Sequence, residues 1–400
     1  MKFKIIIVYQ IVFSSFAFSQ NYNSLVEDLI NQTNLDSLVS YVRILSGEDY
    51  VVIGDSMVLI ENRINSRGND LAAEYIKQKL ESNGLDTYDQ HYSEKGRNVY
   101  SIQKGTIYPK KYFILCAHYD AVANHCADDN ASGVAGVLEA ARILSDYQFN
   151  YSIIYALWDE EETGLNGSEY FASKADSFDM NILGVVNMDM IGWDDDGDGL
   201  LEIHTMEKSN SVSLAEFLYA IDSVYNLPLK PQIINPGTGA SDHSSFWYYD
   251  YSAVLMIEAY YNGDFNQYYH SDRDRIDKFN LTFFHNAVRM GLGSIATLAL
   301  ENTISPVIDE NVLPGLYYIY NYPNPFNSST IIQYEIPAEN YITMELYNSI
   351  GEKVEILFSG YQIGGRHEYN FNSNNLTSGI YFIILKYSNH TLNHKIVLLK

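Results

Sequence analysis

Five side chains that suit a metal ion stand in five separate short motifs. They are His118 in Ala117-His118-Tyr119-Asp120, Asp129 in Asp128-Asp129-Asn130-Ala131-Ser132-Gly133, Glu162 in Glu161-Glu162-Thr163-Gly164-Leu165, Asp189 in Asn187-Met188-Asp189-Met190, and His270 in Tyr269-His270-Ser271. Imidazole nitrogen and carboxylate oxygen both bind Zn²⁺ at about 2.0–2.2 Å, and a catalytic zinc needs about three protein ligands and an open position for water. Five side chains can serve two ions if one carboxylate bridges them. The pattern therefore predicts a hydrolase with two zinc ions.

Two apolar runs that precede these motifs are expected to be buried strands. Tyr112-Phe113-Ile114-Leu115-Cys116 leads to His118, and the run from Tyr151 to Leu157 leads to Glu160-Glu161-Glu162. The C-terminal ends of strands are where open α/β sheets place their sites. Taken singly, the acidic motifs could instead be solvated turns, because the chain has 50 acidic residues. Their position after buried strands favours a functional site.

The motifs, in their order and spacing, resemble those of the zinc peptidase family of secreted double-zinc aminopeptidases, which also includes glutamate carboxypeptidase and glutaminyl cyclase. The resemblance covers about residues 35–302. It implies that His118 and Asp189 hold one zinc, that Glu162 and His270 hold the other, that Asp129 bridges both ions, and that Glu161 is the general base.

The chemistry of such a centre gives the neighbouring carboxylates separate tasks. Two zinc ions about 3.5–4 Å apart can share a water, lower its pKa and polarise a scissile carbonyl. Glu161 would then take the proton from that water and deliver it to the leaving amine. Asp120, two residues after His118, is expected to accept the imidazole N–H that faces away from the metal. Glu161 and Asp120 are therefore the predicted catalytic carboxylates beside the ligands.

A second histidine motif, Ser241-Asp242-His243-Ser244, competes for the place of the fifth ligand. In the family, a Ser-Asp-His motif lies near the substrate pocket, and the late ligand comes from a His-(Ser/Thr)-x-x-Asp motif. That second motif runs here from His270 to Asp274. The resemblance therefore favours His270 as the ligand. It leaves His243 as a structural or pocket residue, with Tyr269 as a second candidate for the substrate pocket.

An acidic loop suggests a further cation. Asp194, Asp196 and Asp198 occupy alternate positions around Gly197, as carboxylates do in a calcium loop. A calcium-binding helix-loop-helix would have Glu at position twelve, where this chain has Thr205. Glu202 could replace it in a different loop geometry. The alternative is a solvated hairpin turn, so Ca²⁺ is a weaker expectation than Zn²⁺.

Composition and the N-terminus indicate a protein outside the cytoplasm. Residues 1–20 have a basic start and an apolar stretch from Ile5 to Phe18, as a signal peptide does. No later apolar run is long enough to cross a bilayer. The net charge of −25 argues against a nucleic-acid partner, since phosphates are bound through clusters of Lys and Arg. Cys116 and Cys126 could form a disulfide in an oxidising compartment or remain free thiols.

Residues 21–302 are predicted to form the zinc peptidase domain. Strand candidates alternate with helical patterns, which favours an α/β fold with a mostly parallel, mixed sheet sandwiched by helices. One helix is expected to include Gly136–Leu144, with Ser132 or Asn130 as its N-terminal cap.

Residues 303–320 read as a linker, and residues 321–400 as a small β-sandwich of short strands. This tail resembles the C-terminal sorting domain of type IX secretion. The matching segments are Tyr322-Pro323-Asn324-Pro325-Phe326-Asn327, the turn at Leu346–Glu352, Ser378-Gly379-Ile380-Tyr381-Phe382, and Lys395–Lys400. The resemblance implies passage through the periplasm, a secretion machinery as partner, and release or attachment at the cell surface after removal of the tail. The alternative is an immunoglobulin-like binding module.

The leading interpretation is a secreted exopeptidase, most simply an aminopeptidase that releases N-terminal residues from a peptide or protein substrate. A carboxypeptidase or a glutaminyl cyclase on the same scaffold is the alternative within enzymes. Arg273, beside His270, is the candidate that would bind a substrate carboxylate. A surface-displayed binding protein with an inactive site is a different class, but neither a ligand nor Glu161 is missing.

Overall fold

The computed structural model describes residues 22–300 except 65, and residues 319–400 except 323, 337–338, 350, 374–375 and 388–389. The predicted signal peptide and most of the predicted linker lie outside the described residues. The chain divides into two compact units on either side of residue 305. Each unit has its own apolar core.

The first unit alternates helices and strands, as its sequence pattern predicts. Its helices are α1 (Ser24–Asn31), α2 (Leu35–Leu45), α3 (Ser66–Ser82), α4 (Gly133–Leu144), α5 (Asn166–Ser177), α6 (Ser211–Tyr225), α7 (His243–Tyr248) and α8 (Leu281–Leu300). Its strands are β1 (Val51–Ile53), β2 (Ser56–Val58), β3 (Asp86–His91), β4 (Arg97–Gln103), β5 (Tyr108–His118), β6 (Tyr151–Trp158), β7 (Asn181–Met188), β8 (Leu200–His204), β9 (Lys230–Ile234) and β10 (Ala253–Ile257).

Eight of these strands form one twisted sheet in the order β3-β4-β6-β5-β7-β10-β8-β9, and β1 pairs with β2 separately. The four central strands β6, β5, β7 and β10 are parallel to their neighbours in that group. The pairs β3–β4, β4–β6 and β10–β8 are antiparallel, and β8–β9 is parallel. The predicted α/β fold with a mostly parallel, mixed sheet is confirmed.

The central strands are buried on both faces, which is why they read as apolar runs rather than as alternating patterns. Every residue of β6 is buried. Along β5, Phe113 and Leu115 enter the larger core under α1–α4, α6 and α8, whereas Ile114 and Cys116 enter the core under α5 and α7. These two cores show that helices cover both faces of the sheet. Each fully buried aliphatic or aromatic side chain contributes roughly 1.5–3 kcal/mol to stability.

Helix α4 begins where the chain comes closest to the end of β7. The Oδ1 of Asn130 accepts the Gly133 N–H at 2.8 Å, whereas the Ser132 hydroxyl donates to the Asp128 carbonyl at 2.7 Å. Of the two predicted caps, Asn130 is thus the one that satisfies a helix N–H. A Cβ on Gly133 would lie 2.3 Å from the Met188 carbonyl oxygen, so only glycine permits this approach.

The second unit is a small sandwich of antiparallel strands. Its strands are β11 (Ile319–Tyr322), β12 (Ser329–Ile336), β13 (Asn340–Asn348), β14 (Lys353–Gln362), β15 (Gly365–Asn372), β16 (Gly379–Tyr387) and β17 (His390–Leu398). They form two sheets, β11-β12-β15 and β14-β13-β16-β17. The first strand begins at Ile319, inside the segment predicted as linker.

Over the described ranges of the chain, no helix has the length and apolar character that a membrane crossing requires.

Candidate metal centre

The predicted ligands meet because neighbouring parallel strands end at the same edge of the sheet. His118 is the last residue of β5, Asp189 directly follows β7, and Glu162 lies in the turn after β6. In register, His118 stands beside Trp158 of β6, and Cys116 stands beside Asn187 of β7. Asp129 lies in the loop that leads into α4, and His270 lies in the loop after β10. All five predicted metal ligands come together at this edge.

Asp129 faces two different pairs of ligands with its two carboxylate oxygens. The Nε2 of His118 lies 3.4 Å from Asp129 Oδ1 and 3.4 Å from Asp189 Oδ1. The Nε2 of His270 lies 3.3 Å from Asp129 Oδ2 and 3.1 Å from Glu162 Oε2. The side chains thus divide into a His118–Asp189 pair and a His270–Glu162 pair, with one carboxylate between them.

These separations and the bonding state of the oxygens fit zinc. Two ligand atoms that each lie about 2.0–2.1 Å from a tetrahedral ion are about 3.3–3.4 Å apart, close to the contacts above. Asp129 Oδ2, Glu162 Oε1 and Asp189 Oδ1 are buried and accept no hydrogen bond among the described residues. Buried polar atoms normally have partners. A cluster of carboxylates and imidazoles with open acceptor positions is the donor set that a divalent cation completes.

Asp120 connects the histidine ligand to the acidic turn. Its Oδ1 lies 3.4 Å from His118 Nδ1, longer than a normal hydrogen bond. The same carboxylate accepts the N–H of Glu161 and the N–H of Glu162, both at 3.1 Å. Asp120 therefore orients the turn that carries Glu161 and Glu162, a contact that the sequence did not predict, in addition to facing the imidazole as expected.

Glu161 lies among the ligands, with a carboxylate oxygen within 4.8 Å of donor atoms of His118 and Asp189. Burial raises its pKa to about 10; the charge of His118 opposes the rise, whereas the charges of Asp242 and Asp189 add to it. A cation a few ångströms away would lower this pKa again, because it stabilises the carboxylate. The position of Glu161 thus couples its proton affinity to metal binding.

Asp129 behaves differently from Glu161. Burial acts to raise its pKa, but contacts with His118 and His270 lower it below its usual range. A carboxylate that stays ionised between two imidazoles is suited to bridging two cations.

Tyr269 lies at the open side of the centre. Its ring stacks on His270 with 3.6 Å between the ring centroids, and 41% of the residue is exposed. Burial of the phenol, and then the charges of Asp129 and Glu162, raise its pKa. Tyr269 therefore keeps its proton as a hydrogen-bond donor beside the centre, where a pocket residue was expected.

His243 is fully buried, so it does not line the pocket. Its Nε2 lies 2.9 Å from the Thr238 carbonyl oxygen, and its ring meets Trp247 edge-on at 4.4 Å. The sequence left His243 as either a structural or a pocket residue, and its burial favours the structural role. Ser241 of the same motif instead contacts a predicted metal ligand, because its hydroxyl donates to Asp189 Oδ2 at 2.7 Å.

The acidic loop differs from the sequence prediction in two of its members. Carboxylate oxygens of Asp194, Asp196 and Asp264 lie within 4.8 Å of one another. Asp198 is not in this group; it accepts the Leu200 N–H at 2.8 Å. Glu202 is buried elsewhere, 2.6 Å from His204 Nε2. Asp264 was missed because it is far away in sequence and no local motif marks it.

Fold and donor set together define the class of α/β zinc metallopeptidases. Residues 98–293 match the model of peptidase family M28, and residues 321–399 match that of the secretion system C-terminal sorting domain. One segment of the chain thus matches peptidase family M28 and another matches the sorting domain, as the sequence resemblance implied. The sorting domain indicates a secreted or cell-surface protein.

Individual relatives are distant. A probable zinc metalloprotease of Pyrenophora tritici-repentis is 26% identical over 208 residues, which are 45% of this chain and 47% of that protein. The chain thus spans about half the length of this relative. The Legionella pneumophila LapA aminopeptidase has a TM-score of 0.63 at 20% identity, over 75% of this chain and 78% of that one. Glutaminyl cyclase of Bacteroides thetaiotaomicron has a TM-score of 0.55 at 19% identity, over 66% and 98%. At these identities the two structures are evidence for the fold alone.

Proposed function

We propose that this protein is a secreted exopeptidase with two zinc ions, and specifically an aminopeptidase. The proposal rests on the two carboxylate oxygens of Asp129, which face different predicted ligands. One of its oxygens faces His118 and Asp189, and the other lies 3.3 Å from His270, beside Glu162. A carboxylate shared in this way would let His118 and Asp189 hold one ion and His270 and Glu162 the other, and two such ions could activate a water.

The side chains around the centre supply the proton transfers. When bound, two zinc ions would polarise the scissile carbonyl and lower the pKa of a water. Glu161 accepts the proton of the attacking water and passes it to the leaving amine. Tyr269 keeps its phenolic proton and donates a hydrogen bond to the oxygen on which charge develops. Asp120 holds Glu161 in place because its carboxylate accepts the backbone N–H of Glu161.

The charged groups near the centre bear on which end of a substrate could bind there. Four carboxylates, those of Asp129, Glu161, Glu162 and Asp189, lie around the centre with only two imidazoles. A carboxypeptidase would need a cation that binds the substrate carboxylate. The candidate Arg273 places its guanidinium 5.3 Å from the centre of the Tyr268 ring and is exposed. Two bound zinc ions would carry four positive charges and offset these carboxylates, so net charge does not select the substrate. Because the candidate Arg273 packs on Tyr268, we rank the aminopeptidase first and the cyclase second.

The C-terminal tail would direct export of the protein to the cell surface. In this proposal residues 321–400 engage the secretion machinery, the chain crosses the periplasm and the outer membrane, and the tail is removed. The Asp194–Asp196–Asp264 group remains a candidate Ca²⁺ site that would brace the loops on that side of the unit.

The activity is tested with amino-acid p-nitroanilides whose amino group is either free or acetylated. The metal content of the same preparation is measured. We expect two zinc ions per chain, hydrolysis of the free amides only, and loss of activity in chelator. Equal hydrolysis of acetylated amides would contradict an aminopeptidase. Ring closure of N-terminal glutamine peptides without hydrolysis would favour the cyclase, and one ion per active chain would refute the shared carboxylate.

A further inference from the structure

The short segment 125–129 leads into the bridging carboxylate, and two buried side chains from distant parts of the chain hold its backbone. Cys126, Ala127, Asp128 and Asp129 are each at most 3% exposed. Polar backbone groups in such a place need partners inside the protein. They find them in Arg63, which precedes α3, and in Asp274, which precedes α8.

Arg63 binds the carbonyl side of this segment. It is 1% exposed, and its guanidinium donates to the carbonyl oxygens of His125 at 2.9 Å, Cys126 at 2.8 Å and Asp129 at 3.4 Å. Its remaining donors bind the carbonyls of Leu45 and Tyr119. A guanidinium has five N–H groups in a rigid fork. All five hydrogen bonds found among the described residues end on backbone carbonyls.

Asp274 binds the N–H side of the same segment. It is fully buried, and its carboxylate accepts the N–H of Asp128 at 3.0 Å and the N–H of Asp129 at 3.1 Å. Its own carbonyl accepts the N–H of Ala127 at 3.1 Å. Asp274 also follows His270 by four residues in one loop, so it connects this segment with the loop that carries the other ligand.

We propose that Arg63 and Asp274 are a matched pair of positioning residues for the bridging ligand. Asp129 donates its own N–H to Asp274 and offers its own carbonyl to Arg63, so both backbone groups of this one residue are held from opposite sides. With the backbone fixed, the Cα–Cβ bond has one direction, and the two carboxylate oxygens are directed at the two ligand pairs. The inference rests on the proposed two-zinc function.

The pair matters for both ions because the bridging carboxylate belongs to both. Loosening the segment would turn Asp129 toward one ligand pair and away from the other. Arg63 is also expensive to desolvate, and among the described residues its hydrogen bonds go to backbone carbonyls alone, three of them in this segment. Its removal should therefore affect metal binding beyond any effect on folding.

The test compares the full-length Arg63→Lys and Asp274→Asn proteins and the double variant with wild type. Each is stripped of metal and titrated with Zn²⁺ and with Co²⁺ while the visible spectrum of bound Co²⁺ is recorded. Each single change should weaken binding at both sites by about 10–100-fold, as loss of an outer partner of a ligand does. It should also alter the Co²⁺ spectrum and lower kcat more than it changes KM. The double variant should lose less than the product of the single effects, because both residues hold one segment.

Two matched controls separate positioning from general stability. Arg97 is a buried arginine that instead pairs with Asp89 at 2.7 Å and Glu74 at 2.6 Å. Asp272 lies in the same loop as Asp274 but is exposed, and the one hydrogen bond that it accepts from the described residues is from the Asn124 N–H, at 3.1 Å. Arg97→Lys and Asp272→Asn should keep the metal affinities within about twofold of wild type.

Lower melting temperatures with unchanged metal affinities and Co²⁺ spectra would overturn the proposal, as would fully multiplicative effects in the double variant. If Arg63→Lys does not fold, the comparison of Asp274→Asn with Asp272→Asn decides alone. Metal titrations need no substrate, so they stand even if the aminopeptidase assay fails. A wild-type chain that binds fewer than two ions would refute the two-zinc function itself.

Discussion

His243→Gln should change the dependence of stability on pH, because the histidine is buried in its neutral form. Burial lowers its pKa from 6.5 to about 3, with the Thr238 carbonyl opposing and the charge of His204 adding to the shift. Its Nδ1 is buried without a hydrogen-bond partner among the described residues, so an added proton would find no acceptor. A glutamine can still donate to the Thr238 carbonyl but carries no titrating group.

The size of the stability difference between wild type and His243→Gln follows from proton linkage. Below pH 6.5 the unfolded chain binds a proton at this histidine and the folded chain does not, so stability is present above pH 6.5 and is lost as the pH falls toward 3. Each pH unit in this window costs about 1.4 kcal/mol. At pH 5, wild type should therefore have lost about 2 kcal/mol relative to His243→Gln, or about 4–8 °C in melting temperature for a unit of this size.

Tryptophan fluorescence reports the transition of the first unit alone, because Trp158, Trp193 and Trp247 all lie in it. Melting curves of wild type and variant at pH 7.5, 6 and 5 are compared with and without chelator. The difference should persist in chelator, since it comes from burial and not from metal. Parallel pH curves for the two proteins, or a difference that chelator abolishes, would refute the reasoning. His91→Gln, at an exposed histidine, serves as the control.

Three further outcomes are expected. Glu161→Gln should keep both metal ions and lower kcat by about 10²–10⁴-fold, since the amide cannot accept the proton; metal analysis beside steady-state rates checks it, and an unchanged rate would place the base elsewhere. His270→Ala should lose one ion and hydrolysis, whereas His243→Ala should keep two, and the opposite stoichiometry would redraw the site around Asp242 and His243. Deletion of residues 322–400 should leave active enzyme trapped in the producing cell, and normal export of the shortened chain would exclude a sorting role.

The parts of the fold that the sequence predicts well are those with both faces buried. The run from Tyr151 to Leu157 is apolar throughout because β6 lies inside the sheet. In the second unit, β14 and β15 are harder to recognise from the sequence. Both are edge strands of their sheets, and β14 is exposed along most of its length, so it has no alternating apolar pattern to read.

The same distinction holds for the site. The predicted metal ligands could be named because each stands in a short motif that resembles the family's, and two of these motifs follow strands that the sequence predicts. Asp264 and Arg63 could not, since their partners are distant in sequence and, for Arg63, are backbone carbonyls that no residue pattern reveals. Asp264 rather than Asp198 lies with Asp194 and Asp196, because spacing along the chain does not fix which carboxylates turn toward a common point.

The two cysteines have a practical consequence. Both are buried free thiols, and they are the only cysteines of the chain. Burial raises the pKa of Cys116 well above its ordinary value and that of Cys126 to about 12, so neither forms the thiolate that oxidants and alkylating reagents attack. The proposed zinc ligands are nitrogen and oxygen only. Folding should therefore need no disulfide-forming catalyst, and the enzyme should be obtainable from a reducing host cytoplasm and tolerate mild peroxide.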